Sequence, residues 1–210
     1  MSLHVDSEAI VCGLRAHGEH GGIVRLLTPG HGLVAGYVRG ARGRRMRPIL
    51  ISGNVISAKL RSRTDAQLPQ ATIELVRSRA PILTEPLAAA AVEWSAALIA
   101  ASLPEHQPYP DLYEAAAAFL DAVEAAPAAR GWAVALVRLE LLLIAELGYA
   151  RPLPMLPESI RSGVDAGWPD VMAGLEVSGR LLEREVLSAA SASLMESRLR
   201  LVERLKRAAQ

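Results

Sequence analysis

Five arginines fall within nine residues of this chain, at Arg39, Arg42, Arg44, Arg45 and Arg47, with no acidic residue among them. A guanidinium stays charged at any working pH and offers forked donors that match phosphate oxygens. Gly40 and Gly43 between the arginines oppose a regular helix and let backbone approach a ligand closely. A second cationic feature follows in Ile56-Ser57-Ala58-Lys59-Leu60-Arg61-Ser62-Arg63. Read as a strand, it turns Ile56, Ala58 and Leu60 to one face and Lys59, Arg61 and Arg63 to the other. Cations ~6 to 7 Å apart, twice the strand rise, repeat near the phosphate spacing of a single strand. Arg25, in the apolar run 22–28, completes the set of candidates. These residue types suit a groove that tracks a polyanionic backbone.

An arginine-rich loop alone is often no more than solvated surface. Here the rest of the chain sharpens the signal. Before residue 81 there are 12 Lys and Arg against 5 Asp and Glu, and after it 11 against 17, so a net charge of +1 hides a basic part followed by an acidic one. That asymmetry points to a polyanion partner for the first part. Of the eight Phe, Trp and Tyr residues only Tyr37 precedes residue 81, so stacking platforms are scarce. Binding is expected to be electrostatic, tolerant of sequence and sensitive to salt.

Other chemistries find little support. Cys12, His17, Glu19, His20 and His31 are the residues that most resemble a metal or catalytic set, yet three of the histidines and the glutamate stand in or beside Gly-rich turns and read as solvent-facing. There is no phosphate-cradling loop ending in Lys-Ser or Lys-Thr, no Gly-x-Ser-x-Gly and no His-Glu-x-x-His. Asp111, Glu114, Asp121 and Glu124 read as one solvated helix edge, and Trp94, Phe119 and Trp132 as core. No enzyme is expected. The single cysteine excludes an internal disulfide. Asp6 and Glu8 interrupt the start where a signal peptide needs a positive flank and an apolar run, and the apolar stretches 88–92 and 139–145 are too short for a membrane span. A cytoplasmic, soluble protein is expected.

The elements that must position the arginines follow from the change in texture near residue 80. Residues 1–80 hold 10 of the 16 glycines, in short apolar runs broken by turn residues, the punctuation of a small antiparallel barrel. Strands are expected at 9–14, 22–28, 33–39, 49–61 and 71–77. Five strands in about 80 residues match an OB-type barrel, and an SH3-like barrel fits the count almost as well. From residue 81 to 210 alanine, leucine and glutamate dominate and prolines group between segments, which predicts a helical domain. Helices are expected at 87–101, 111–125, from after Pro127 to Gly148, 172–187 and 192–208, with 150–170 as a loop. The fold class is therefore α+β, an N-terminal barrel followed by an all-α part.

With these residues in place, the chain resembles the RecO family of bacterial recombination and DNA-repair mediators. The resemblance runs through Glu8-Ala9-Ile10-Val11, His17-Gly18-Glu19, Ile23-Val24-Arg25-Leu26-Leu27-Thr28, His31-Gly32-Leu33 and Arg39-Gly40-Ala41-Arg42, then Thr72-Ile73-Glu74-Leu75. It continues in Arg138-Leu139-Glu140, Leu147-Gly148-Tyr149, Leu181-Leu182-Glu183-Arg184 and Leu201-Val202-Glu203-Arg204-Leu205. Order and spacing cover most of the chain. The resemblance implies an OB-fold and then helices, and a non-enzymatic role: binding single- and double-stranded DNA and annealing complementary strands. It also implies work with RecR and with the C-terminal tail of the single-strand binding protein to load RecA, at the nucleoid. Many members carry four zinc-binding cysteines after the position of Gly148-Tyr149. The matching stretch here, within 150–175, has none, so no cofactor is expected and that module is lost or replaced. From the residues alone, a barrel that binds RNA or ribosomal components, or an adaptor whose arginines meet an acidic protein, remains an alternative.

Overall fold

One strand of fourteen residues, β1 (His4–His17), organises the N-terminal part. Its first half pairs antiparallel with β4 (Val55–Arg61) and its second half with β2 (Gly21–Thr28). The change of partner comes at a bulge between Val11 and Gly13, where an extra residue bends the strand and strengthens its twist. β2 continues into β3 (Gly32–Val38) through the Pro29-Gly30-His31 turn, and β5 (Gln70–Arg77) pairs antiparallel with β4. Parallel pairing of Tyr37 with Gln70 joins β3 to β5 and closes the barrel in the order β1-β2-β3-β5-β4. This arrangement is the OB-fold, and the parallel closure decides between the two barrels that strand count left open. The computed structural model describes residues 4–62, 64, 67–126, 128–149, 156–162, 166–187 and 191–209. Arg63, and most of the first half of the expected 150–170 loop, lie outside them.

Alternation fills the barrel. Val5, Ala9 and Val11, Val24 and Leu26, Val34 and Val38, Ile56, Ala58 and Leu60, and Ile73 form one buried cluster. Ala41 and Leu50 join it from the segment between β3 and β4, with Met46 and Ile49 packed against it. The expected strand 49–61 therefore begins only at Val55. Its first residues are apolar because they plug the barrel, not because they extend it. Buried Asn54 fixes that plug: its Nδ2 donates to the carbonyls of Pro48 and Ile49 at 2.9 and 3.0 Å, and its Oδ1 accepts from the Arg79 amide at 2.7 Å.

Among the described residues six α-helices follow: α1 (Pro86–Ser102), α2 (Pro110–Ala125), α3 (Ala133–Ile144), α4 (Glu158–Ser162), α5 (Trp168–Leu181) and α6 (Ala192–Ala208). Two of them correct the loop expected at 150–170. Ile160 of α4 is buried, and the Pro157 carbonyl accepts from the amides of Ile160 and Arg161, so one short apolar anchor suffices to wind a turn. α5 opens at Trp168 because Pro169 suits the first helical turn. Trp94, Phe119 and Trp132 are core residues as expected, the last two edge to face at 6.3 Å. No described helix is long and apolar enough to cross a membrane.

The chain packs as two compact units, Met1–Pro81 with Leu103–Tyr113, and Ile82–Ser102 with Glu114–Gln210. In the second, Glu140 of α3 is buried and accepts four hydrogen bonds. Two come from Arg198 of α6, at 2.9 and 2.7 Å, one from Trp94 Nε1 at 2.7 Å and one from Ser178 Oγ at 2.5 Å. Arg198 also donates to the Leu175 carbonyl at 2.8 Å. The network ties α1, α3, α5 and α6 together at a point where unpaired charge would be costly. α5 approaches α3 closely at Gly174, where a Cβ would stand 2.6 Å from Val137 Cγ1.

Candidate nucleic-acid interface

The segment 39–47 winds through successive tight turns: Gly43 N donates to Gly40 O at 2.9 Å, Met46 and Arg47 N to Gly43 O at 3.1 Å, and Ile49 and Leu50 N to Met46 O at 3.0 Å. These turns put Ala41, Met46, Ile49 and Leu50 against the core and leave Arg39, Arg42, Arg44, Arg45 and Arg47 exposed. Arg42 pins the segment to the β1–β2 turn through its amide to His20 O at 3.5 Å and its Nη1 to Glu19 O at 3.4 Å. Among the described residues none of the five is paired with a carboxylate. Their charge is therefore open to an anion from solution.

The β4 row is built differently. Lys59 and Arg61 do point outward and are exposed, but register places carboxylates beside them. Asp6 stands opposite Lys59, its Oδ2 at 3.6 Å from Nζ, while Glu8 and Glu74 flank Ser57 from the two neighbouring strands. Arg61 lies between His4 and Gln70, and Gln70 in turn pairs with Tyr37. The far end of β4 is thus one strand away from the chain that leads into Arg39. Arg63 lies outside the described residues.

Arg25 sits on the outward face of β2, opposite Gly13 and Ala35. A groove of about 380 Å³ opens there, lined by Gly13, Leu14, Arg15, Ile23, Arg25, Ala35 and Glu105. Arg25 Nη2 donates to Glu105 Oε1 at 3.0 Å. Beside the groove, the Tyr37 ring lies over Gly21 and meets the edge of His17 at 6.0 Å. Arg15 is a cation that sequence reasoning missed. Counted by alternation from buried Val5, Ala9 and Val11 it faces the core, but the bulge shifts the phase by one, so that it stands opposite outward-facing Ile23 and is exposed. Gly13 at the bulge is the signal that could have revealed it.

The residues considered for a metal or catalytic set do not converge. Cys12 is buried, its thiol pushed up to about 12 chiefly by burial, while His17, Glu19, His20 and His31 are exposed. Among the described residues no three His, Cys, Asp or Glu side chains are grouped to hold a metal ion.

Comparison with known proteins bears on both units. The family model described as recombination protein O N terminal matches residues 1–79, and that described as recombination protein O C terminal matches residues 83–207. The chain is 32% identical to the DNA repair protein RecO of Rhodospirillum centenum, over 96% of this chain and 94% of the relative. It is 35% identical to the protein of the same name from Rhodospirillum rubrum, over 94% of each. With that of Caulobacter vibrioides strain CB 15 it shares 31% identity over 99% of this chain and 97% of the relative.

Proposed function

The chain belongs to the RecO family of DNA repair proteins, and from that premise we propose that it binds single- and double-stranded DNA through the barrel and anneals complementary strands. In the same proposal it acts with RecR to help load RecA onto DNA coated by single-strand binding protein, in the cytoplasm at the nucleoid. The observation that carries this reading is the segment 39–47, five exposed arginines with no carboxylate partner among the described residues. Neutralising the phosphates of two strands at once lowers their mutual repulsion, and releasing counterions makes the binding favourable and salt-dependent. DNA contacts are assigned to Arg25, Arg39, Arg42, Arg44, Arg45, Arg47, Lys59, Arg61 and Arg63, with Arg15 added.

The family's tetracysteine zinc module cannot form here, because the chain has one cysteine and Cys12 is buried in the barrel unit. The proposed role requires no cofactor and no catalytic group. For the helical unit we propose contact with the acidic, apolar tail of the single-strand binding protein. A groove of about 570 Å³ between α5 and α6 supports the apolar part of this contact, with Met172, Leu175, Met195 and exposed Leu199 in its lining. Its cations Arg180 and Lys206 are paired with Glu176 and Glu203, so an acidic tail would have to displace those carboxylates.

The test is annealing of complementary DNA oligonucleotides, bare and coated with single-strand binding protein, by the wild type and by a variant with Arg42, Arg44 and Arg45 changed to alanine. Annealing by the wild type and its loss in the variant are expected. A variant that keeps wild-type affinity and salt slope would sink the assignment. RNA oligonucleotides run alongside, and preference for them would move the protein to an RNA-binding role.

A further inference from the structure

The groove on the outer face of β2 and β3 holds a carboxylate where a ligand anion would go. Glu105 accepts from Arg25 Nη2 at 3.0 Å, while Arg25 Nε is buried and has no hydrogen-bond partner. The two side chains are 36% and 42% exposed, so the pair is wet and weakly held. Arg15 lines the same groove and is exposed.

Glu105 does not reach Arg25 by wandering. The segment that carries it is laid along β3 like a short added strand. Glu105 bridges Leu33 in parallel pairing, and His106 N donates to the Leu33 carbonyl at 2.9 Å. His106 itself takes a left-handed conformation, φ 62°, unusual for a residue with a side chain. Gly32 faces the strap so closely that a Cβ there would overlap the Gln107 carbonyl. Backbone hydrogen bonding and close packing thus deliver a carboxylate from 80 residues away in sequence to an arginine on the barrel's ligand-binding face.

Building on the nucleic-acid reading above, we propose that Glu105 holds the place of a backbone phosphate in this groove, as an internal competitor that a DNA strand displaces from Arg25. Carboxylate and phosphate use the same guanidinium donors. As placed, Glu105 satisfies Nη2 and leaves Nε without a partner. A phosphate takes Nη2 through the same charge-assisted hydrogen bond, and pairs Nε as well in the forked geometry if departure of the carboxylate uncovers it. The exchange is close to balanced because an exposed ion pair contributes little, so the strap tunes affinity and does not abolish binding.

The experiment uses the full chain and a fluorescent oligo-dT, with affinity measured by anisotropy across a range of salt. Glu105→Gln removes the competing charge at nearly constant size. It is expected to tighten binding about two- to fivefold, the scale of the exposed pair that DNA no longer has to break. Arg25→Ala in the wild type should weaken binding, because it removes a phosphate contact and leaves the Glu105 carboxylate unopposed in the groove, and in the Glu105→Gln background it should erase the gain. Glu93→Gln, which removes the same charge from an exposed position of α1 in the unit that carries none of the assigned DNA contacts, controls for net charge. A gain from Glu105→Gln no larger than that of Glu93→Gln, or one that survives Arg25→Ala, overturns the proposal while leaving DNA binding through the arginine segment intact. Absence of DNA binding by the wild type overturns both.

Discussion

Arginine serves opposite ends in the two units. In the barrel, Arg39, Arg42, Arg44, Arg45 and Arg47 are exposed and face no carboxylate among the described residues. In the helical unit, Arg198 is 3% exposed and bound through two nitrogens to buried Glu140. A charge left hydrated and unopposed adds little to the fold and repels its neighbours, so its use lies with a ligand. A charge taken out of water together with its counter-charge fixes how helices meet and offers a solution anion nothing. The difference separates binding from folding side chain by side chain, and each of the following measurements either widens that separation or closes it.

The largest effect is expected at the buried pair. Glu140→Ala leaves Arg198 charged, buried and short of partners, at a cost of about 3 to 5 kcal/mol, read as a fall in the urea midpoint. Replacing both, Glu140→Met with Arg198→Leu, should restore much of that stability, because the desolvation of two ions disappears along with their attraction. If the double variant is as unstable as the single one, the network does more than satisfy its own charges. DNA affinity of folded Glu140→Ala should match the wild type, since the pair lies in the unit that carries none of the assigned DNA contacts.

Next comes the arginine segment, with the opposite signature. Changing Arg42, Arg44 and Arg45 together to alanine should lower the salt slope by about 2 and the affinity for single strands on the order of a hundredfold near 50 mM salt, three phosphate contacts being lost. Stability should stay within about 0.5 kcal/mol of the wild type, as for surface changes remote from the core. A large drop in the urea midpoint would mean that these side chains also hold the plug of the barrel, and the contrast with Arg198 would weaken.

Cys12 offers a third comparison, because the barrel buries a titratable group by keeping it neutral where the helices bury one by pairing it. Burial raises its pKa to about 12. The folded value lies above the unfolded one, so the stability linked to the thiol is complete below about pH 9 and is lost as pH rises toward 12, at about 1.4 kcal/mol per unit. The wild type should therefore lose stability faster than Cys12→Ala across that window. Parallel stability curves for the two proteins would show that the thiol is not held out of water. A thiol reagent at pH 8 should modify the native protein far more slowly than the unfolded chain.

Much of the barrel was legible because its signals are local. Gly21-Gly22 and Pro29-Gly30-His31-Gly32 mark turns wherever they occur, and β2 and β3 stand within a residue of their expected places. What was hidden depends on register and on distance in sequence. The bulge at Val11 and Gly13 moves Arg15 to the outer face. The apolar residues Ile49 and Leu50 look like strand but close the barrel's end. Glu140 and Arg198, 58 positions apart, carry no mark that either is buried. The arginine segment was readable as chemistry because five like charges within nine residues need no partner to be noticed. The carboxylates beside Lys59 and Arg25 were not, since each comes from another strand or from the strap.

That last difference makes the β4 row the finest test of how far the comparison reaches. Lys59 and Arg61 share exposure with the arginine segment, yet Lys59 also shares with Arg198 a facing carboxylate, at 3.6 Å and in water. Its charge is partly cancelled by Asp6 and by Glu8 and Glu74 nearby. If unopposed charge is what suits a cation to DNA, changing Lys59 and Arg61 together to alanine should weaken binding by less than about fivefold, the range of exposed pairs, and lower the salt slope by less than 1. If exposure alone is what matters, the double variant should lose as much per residue as the Arg42, Arg44 and Arg45 triple variant. Equal loss per residue would show that a phosphate displaces Asp6 from Lys59 at little cost. The contact surface would then run from the arginine segment across Tyr37 and Gln70 to the end of β4, along the register that already joins them.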